Sequence, residues 1–153
     1  MTTSVQYQPI TPASVYAGLK TTTELKGKPL PDILLENTSS DNNYMDLFAR
    51  LVRKHGKQSC SFYARLLGVE TRELDGAIRC MGGMSIHDWM IEYLRLVVCD
   101  LLSNTRLSFK EIGKLLGMSS SSFSQFFQAY QHMQPYQFRS LKQHNLNRGY
   151  HLP

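Results

Sequence analysis

Shifted by 49 residues, the chain falls onto itself without a gap, laying Ser59-Cys60-Ser61-Phe62-Tyr63-Ala64-Arg65-Leu66-Leu67-Gly68 over Ser108-Phe109-Lys110-Glu111-Ile112-Gly113-Lys114-Leu115-Leu116-Gly117. The register continues downstream, pairing Leu74 with Phe123, Ile78 with Phe127, Met84 with Met133 and Trp89 with Phe138. A repeat of this period points to one supersecondary unit used twice. Counted from Phe109 as the first place, Gly113 falls fifth, Gly117 ninth, Phe123 fifteenth and Phe126 eighteenth. A small residue lets two helices approach closely, and a glycine at a turn tolerates positive φ. Ser108 with Glu111 three residues on is a capping-box pattern, which marks a helix start. Each copy therefore reads as a helix, a tight turn and a second helix sharing one apolar face, which is a helix-turn-helix.

The flanking sequence supplies the remaining helices. From Asp41, Met45, Phe48, Leu51 and Val52 recur at helical spacing up to Gly56, predicting a helix whose exposed end carries Arg53, Lys54 and Lys57. Ser59 opens the next helix, through Leu67, and Gly68 turns the chain. Leu74, Ala77, Ile78 and Met81 predict the stripe of a third helix, which Gly82 and Gly83 stop. Ser85 with Asp88 repeats the capping signal and begins the longest helix, to about Asn104, with Met90, Leu94, Val97, Val98 and Leu101 on one buried side. Such a rod is ~30 Å long, close to the ~34 Å of one turn of B-DNA. It can hold two recognition helices one turn apart, so a monomer would read two successive major grooves.

Residues 1–41 are rich in Thr, Ser, Pro and Gly and predict a loosely attached arm or linker. Within it, Thr11 and Pro12 suit the cap and first residue of a helix over TPASVYAGLK, with Val15, Tyr16 and Leu19 on one side. Pro31–Asn37 offers Ile33, Leu34 and Leu35 for docking. At the other end, a last helix is expected to stop near Lys142, ahead of a polar, basic tail over 144–153.

With 153 residues, 42% of them hydrophobic and 19% charged, the chain suits one soluble core and leaves no room for two large domains. The net charge of +5 is uneven: residues 1–43 hold three lysines against four acids, and residues 44–153 hold fourteen Lys/Arg against eight acids. That excess fits a polyanionic partner. Cys60, Cys80 and Cys99 have no CxxC spacing and fall in apolar helical patterns, as reduced core thiols of a cytoplasmic protein do. No apolar run reaches membrane-span length, and no basic-then-apolar signal opens the chain. His55, His87, His132, His144 and His151 share no ligand spacing, so neither a metal nor a cofactor is expected. Without paired carboxylates, a nucleophile beside a base or a Gly-rich phosphate loop, an enzyme is not expected either.

The candidate contacts follow from the two recognition helices. Phe123, Phe126, Phe127 and Tyr130 lie at i, i+3, i+4 and i+7 and are assigned to the core, not to a base-stacking platform. The opposite face presents Ser121, Gln125 and Gln128, with His132 beyond them, as donors and acceptors for base edges; glutamine suits adenine. In the first copy Arg72, Gly76 and Arg79 are exposed, with Arg72 and Arg79 as base readers. Glu70, Glu73 and Asp75 nevertheless leave residues 70–80 with a net charge of −1. Phosphates are assigned to the helix starts at Ser59 and Ser108 and to Lys57, Arg106 and Lys110, since free backbone N–H groups and the helix dipole favour anions there.

These residues carry a family resemblance. A-x-x-L-G-V at 64–69, Leu74, G-M-S at 83–85, Y-x-R-L at 93–96, L-L-x-N at 101–104, L-S-x-x-E-I-G at 107–113, G-M-S-S at 117–120 and P-x-x-F-R at 135–139 follow in order. The span from about Asp41 to Lys142 resembles the DNA-binding domain of the AraC/XylS transcription regulators. The resemblance implies an all-α, homeodomain-like fold of about seven helices. Two helix-turn-helix subdomains, 59–81 and 108–131, are joined by a linker helix over 85–104 within a domain over 42–143, behind an irregular N-terminal arm. It implies sequence-specific binding of double-stranded DNA and transcriptional control, often activation by contact with RNA polymerase. The effector or sensor domain that family members add on the N-terminal side is expected to be absent from this chain. The arginine of the family's first recognition helix falls on Gly76, its counterpart falls on Gln125, and Glu70 stands where a capping serine is usual. A competing reading keeps the fold but has the acidic first recognition helix dock a protein instead of DNA.

Overall fold

The computed structural model describes residues 8–17 and 43–151. Its order is α1 (Pro12–Ala17), α2 (Asn43–His55), α3 (Cys60–Leu67), α4 (Thr71–Gly82), α5 (Ile86–Asn104), α6 (Phe109–Leu115), α7 (Ser120–Gln131) and α8 (Pro135–His151). There is no strand among the described residues. The fold is all-α, with α3–α4 and α6–α7 as two helix-turn-helix units and α5 as the helix between them.

Capping chemistry sets most of these boundaries. The hydroxyls of Ser59, Ser85, Ser108 and Ser119 accept from the backbone N–H groups of Phe62, Asp88, Glu111 and Ser122. Ser108 completes a capping box, because the Glu111 carboxylate accepts from the Ser108 N–H at 3.2 Å. Glu70 caps α4 without a side-chain bond.

Helix α5 is the spine, packing against α1, α2, α4, α7 and α8. Its stripe of Met90, Leu94, Val97, Val98 and Leu101 is buried as expected, and Ile91 and Leu102 widen it. At 19 residues it is about 28 Å long. Trp89 and Phe138, the repeat mates at the starts of α5 and α8, are both buried. Each unit thus delivers an aromatic ring from the helix that follows it.

Residues 8–17, the described part of the arm, are tied down more firmly than its composition suggests. The Ile10 N–H donates to the Met81 carbonyl at 2.8 Å, and the Ile10 carbonyl accepts from Trp89 Nε1 at 2.9 Å. Thr11 caps α1 by accepting from the Ser14 N–H, and Val15 is fully buried. The Tyr16 hydroxyl donates to Asp100 at 2.6 Å on α5. Burial first, and then this bond, hold the Tyr16 phenol above its ordinary range. Leu19 and the Pro31–Asn37 stretch lie outside the described residues.

Four expectations are corrected. Arg53, read as exposed, is 4% exposed, because α1 covers it and sets the Tyr16 ring 5.6 Å from its guanidinium. Tyr130, assigned to the core, is 46% exposed; its ring lies against Phe126, while α8 covers Phe127 through Phe138. Cys80 is exposed, and Cys60 and Cys99 are only half-buried. Helix α8 runs on to His151 instead of ending near Lys142. No proline or glycine interrupts it between Pro135 and Gly149, so the backbone ladder outlasts the apolar pattern.

Candidate nucleic-acid interface

The two turns are near-identical. Gly68 has φ 70° and Gly117 has φ 71°, both in the left-handed region that favours glycine. At the small position of the second unit, a Cβ on Gly113 would stand 3.0 Å from the Met118 carbonyl oxygen and 3.4 Å from Phe123 Cβ. Only a very small residue fits there, and Ala64 fills the same place in the first unit. Leu74, Ile78, Phe123 and Phe127 are fully buried and fix the inner faces of α4 and α7.

The outer faces then present every base-contact candidate to solvent. Arg72, Gly76 and Arg79 are exposed on α4, as are Ser121, Gln125 and Gln128 on α7. Two of these side chains are held. Arg79 Nε donates to the Asp75 carboxylate at 2.8 Å. Gln128 Oε1 accepts from Gln134 Nε2 at 2.8 Å. The Ser121 hydroxyl lies 3.3 Å from that of Ser119, at the cap of its own helix.

The phosphate candidates divide into two groups. Lys57 and Ser59 meet residues of the second unit across a cleft of about 580 Å³, which is also lined by Gln58, His87, Gly117, Ser119 and Ser122. The Lys57 N–H fixes this junction by donating to the Leu116 carbonyl at 2.9 Å. Arg106, Ser108 and Lys110 are also exposed, around the start of α6, but do not line the cleft.

Charge separates these helix starts. Helices α3 and α7 carry no acid in the first turn, whereas α4 carries Glu73 behind its Glu70 cap and α6 carries Glu111. At Ser108 the capping box already uses the Glu111 and Ser108 N–H groups and sets a carboxylate beside the free ones. The two acid-free starts, one from each unit, both reach the cleft that holds Lys57. Ser119, Ser122 and His87 join the site only through the fold, which brings them to the cleft. The signal for Ser119 was present, since it stands two residues past the turn glycine, where the first copy has Glu70.

No family model matches the chain, and no curated protein matches it. Solved structures do. The C-terminal domain of the two-component response regulator yesN from Fusobacterium nucleatum subsp. nucleatum ATCC 25586 is similar over 64% of this chain and 99% of that one, at 20% identity and TM-score 0.56. The C-terminal domain of AraT, a response regulator from Geobacillus stearothermophilus, is similar over 62% and 79%, at 21% identity and TM-score 0.55. The DNA-binding domain of the global transcriptional factor AdpA, solved in complex with a target DNA, is similar over 69% and 96%, at 20% identity and TM-score 0.57. The fold is that of the AraC/XylS-type double helix-turn-helix domain.

Proposed function

On this AraC/XylS-type architecture, we propose that the chain is a sequence-specific, DNA-binding transcription regulator that reads two successive major grooves as a monomer. The observation that carries the reading is the convergence of the acid-free starts of α3 and α7 on one cleft with Lys57. Backbone N–H groups, serine hydroxyls and one ammonium gathered there suit a phosphate of the DNA backbone. With the backbone held between the units, α4 would offer Arg72 and Arg79 to one groove and α7 Ser121, Gln125 and Gln128 to the next. Arg106 and Lys110 would take flanking phosphates, whereas the Ser108 start, with Glu111 closing its capping box, is the poorest of the phosphate candidates. The likeness to a domain solved in complex with a target DNA supports duplex DNA as the partner.

Fluorescence anisotropy with mixed-sequence duplex DNA at several salt concentrations tests it. Affinity should fall steeply as salt rises, with a log–log slope of about −0.9 per phosphate neutralised, and Lys57→Ala should make that slope shallower by about one contact. Replacing Gln125 and Gln128 by alanine should flatten sequence preference by ~1–3 kcal/mol per good base contact. Absence of binding even at low salt would leave the protein-docking reading in its place.

A further inference from the structure

Asp75 is one of three acids, with Glu73 and the cap Glu70, that burden the first recognition helix beside a polyanion, yet its carboxylate is engaged on both oxygens. Oδ1 accepts from the Ile86 N–H at 3.1 Å, an otherwise free amide in the first turn of α5. Oδ2 accepts from Arg79 Nε at 2.8 Å, one helical turn away. The first bond ties the recognition helix to the linker helix, and the second ties Arg79 to that anchor. The Asp75 side chain is 32% exposed and that of Arg79 60%, so the anchor sits inboard and the guanidinium outboard.

A guanidinium has five N–H donors, and only the Nε one is spent here. The four on Nη1 and Nη2 are left for a ligand. Holding a long side chain in place before binding reduces the rotamer entropy lost on binding. Pairing also offsets the Asp75 charge where phosphates would pass. Beside Arg79 the helix is bare: a Cβ added at Gly76 would meet nothing within 4 Å. Arg72, Gly76 and Arg79 share one face at i, i+4 and i+7, so no side chain at 76 stands between the two arginines.

We propose that Asp75 is a positioning residue that presents Arg79 to the N7 and O6 acceptors of a guanine in the groove read by α4. This rests on the DNA-binding reading above. The device is confined to the first unit, because the repeat mates of Asp75 and Arg79 are Ser124 and Gln128. Arginine there suits an edge with two acceptors, whereas an amide suits a mixed edge. The half-sites should therefore differ, and the operator should not be palindromic.

Selection of tight binders from a random duplex pool, followed by anisotropy on single-base-pair variants of the selected site, tests the proposal. Wild type should enrich a guanine in one half-site only. Arg79→Ala, which leaves the Asp75–Ile86 bond untouched, should reduce discrimination at that base pair by about fivefold or more, the low end of a good bidentate contact. Asp75→Asn can still accept from Ile86 but no longer offers an anion to Arg79. It should loosen the same base pair while affinity for mixed-sequence DNA holds or rises, because a negative charge is gone. A purely structural role would instead weaken all duplexes alike, and melting followed at Trp89, the single tryptophan, checks the fold of each variant. Unchanged guanine discrimination in Arg79→Ala, or uniformly tighter binding with unchanged preference in Asp75→Asn, overturns the proposal alone. Failure of wild type to bind any duplex at low salt overturns the DNA reading and this proposal with it.

Discussion

Gly68 and Gly117 turn the chain at φ values one degree apart, and Leu74 and Ile78 close the first unit as Phe123 and Phe127 close the second. On the outer faces the correspondence stops: Arg72, Gly76 and Arg79 stand where the second unit has Ser121, Gln125 and Gln128. Packing explains the difference. A buried position must fill a fixed volume, while an exposed one answers only to what it meets. The acids are distributed in opposite senses, sparing α3 in the first unit and α7 in the second. Neither unit alone offers two helix starts suited to an anion. The pair supplies them at its junction, so the units are complementary and not redundant.

The largest expected effect comes from breaking that junction. Gly56 has φ 77°, and a Cβ there would stand 2.3 Å from the carbonyl carbon and oxygen of Leu116, backbone atoms that cannot swing aside. Gly68 has the same kind of φ but open space around it. Gly68→Ala should therefore cost only the left-handed strain, about 1–2 kcal/mol. Gly56→Ala should add an overpacking cost of similar or greater size, for a total of at least ~3 kcal/mol. Denaturant unfolding followed at Trp89 compares them. Equal losses would mean that the first unit is not seated on the second at this point.

A smaller effect separates the two recognition helices. Ser119 caps α7 through its hydroxyl, while Glu70 caps α4 with no side-chain bond. Ser119→Ala should destabilise by about 1 kcal/mol. Glu70→Ser should stabilise by somewhat less, since the new cap bond comes with loss of an anion near a helix N-terminus, itself worth ~0.3–1 kcal/mol. Thermal melts at low ionic strength would show both. If Glu70→Ser melts no higher than wild type, the missing bond is not what weakens the start of α4.

The units and their turns were legible in the sequence because a gapless repeat, capping serines and turn glycines are all local signals. The exposed arginines and glutamines followed from helical periodicity. Arg53 and Tyr130 did not, because periodicity reports which residues share a face and not which neighbour covers it. Arg53 is buried by Tyr16, 37 positions earlier in the chain, and Tyr130 is left exposed where α8 turns to cover Phe127 instead. At the site, the i,i+4 spacing of Asp75 and Arg79 was available from the start. The bond from the Ile86 amide to that carboxylate was not, and it changes Asp75 from a phosphate-repelling acid into an anchor.

The smallest expected effect is a dependence on pH confined to the first unit. The Arg79 hydrogen bond first, and then the Ile86 amide, hold the Asp75 carboxyl below its ordinary value. A depressed carboxyl stabilises the fold fully above its unfolded pKa of ~3.9 and loses that contribution as pH falls through the lower folded value. Arg79 is shifted upward and stays charged throughout the acid range. Wild type should therefore lose more stability between pH 5 and pH 3 than Asp75→Asn, which has no carboxyl to protonate there. Both partners are substantially exposed, so solvent screening keeps this difference below that of the caps. No such difference should follow from Ser124→Ala at the repeat position in α7, where no carboxylate stands. Melting temperatures of the three proteins at pH 3, 4, 5 and 7 would show it. Parallel acid losses in wild type and Asp75→Asn would mean that the Asp75 anchor is too weakly formed in solution to hold Arg79 in place.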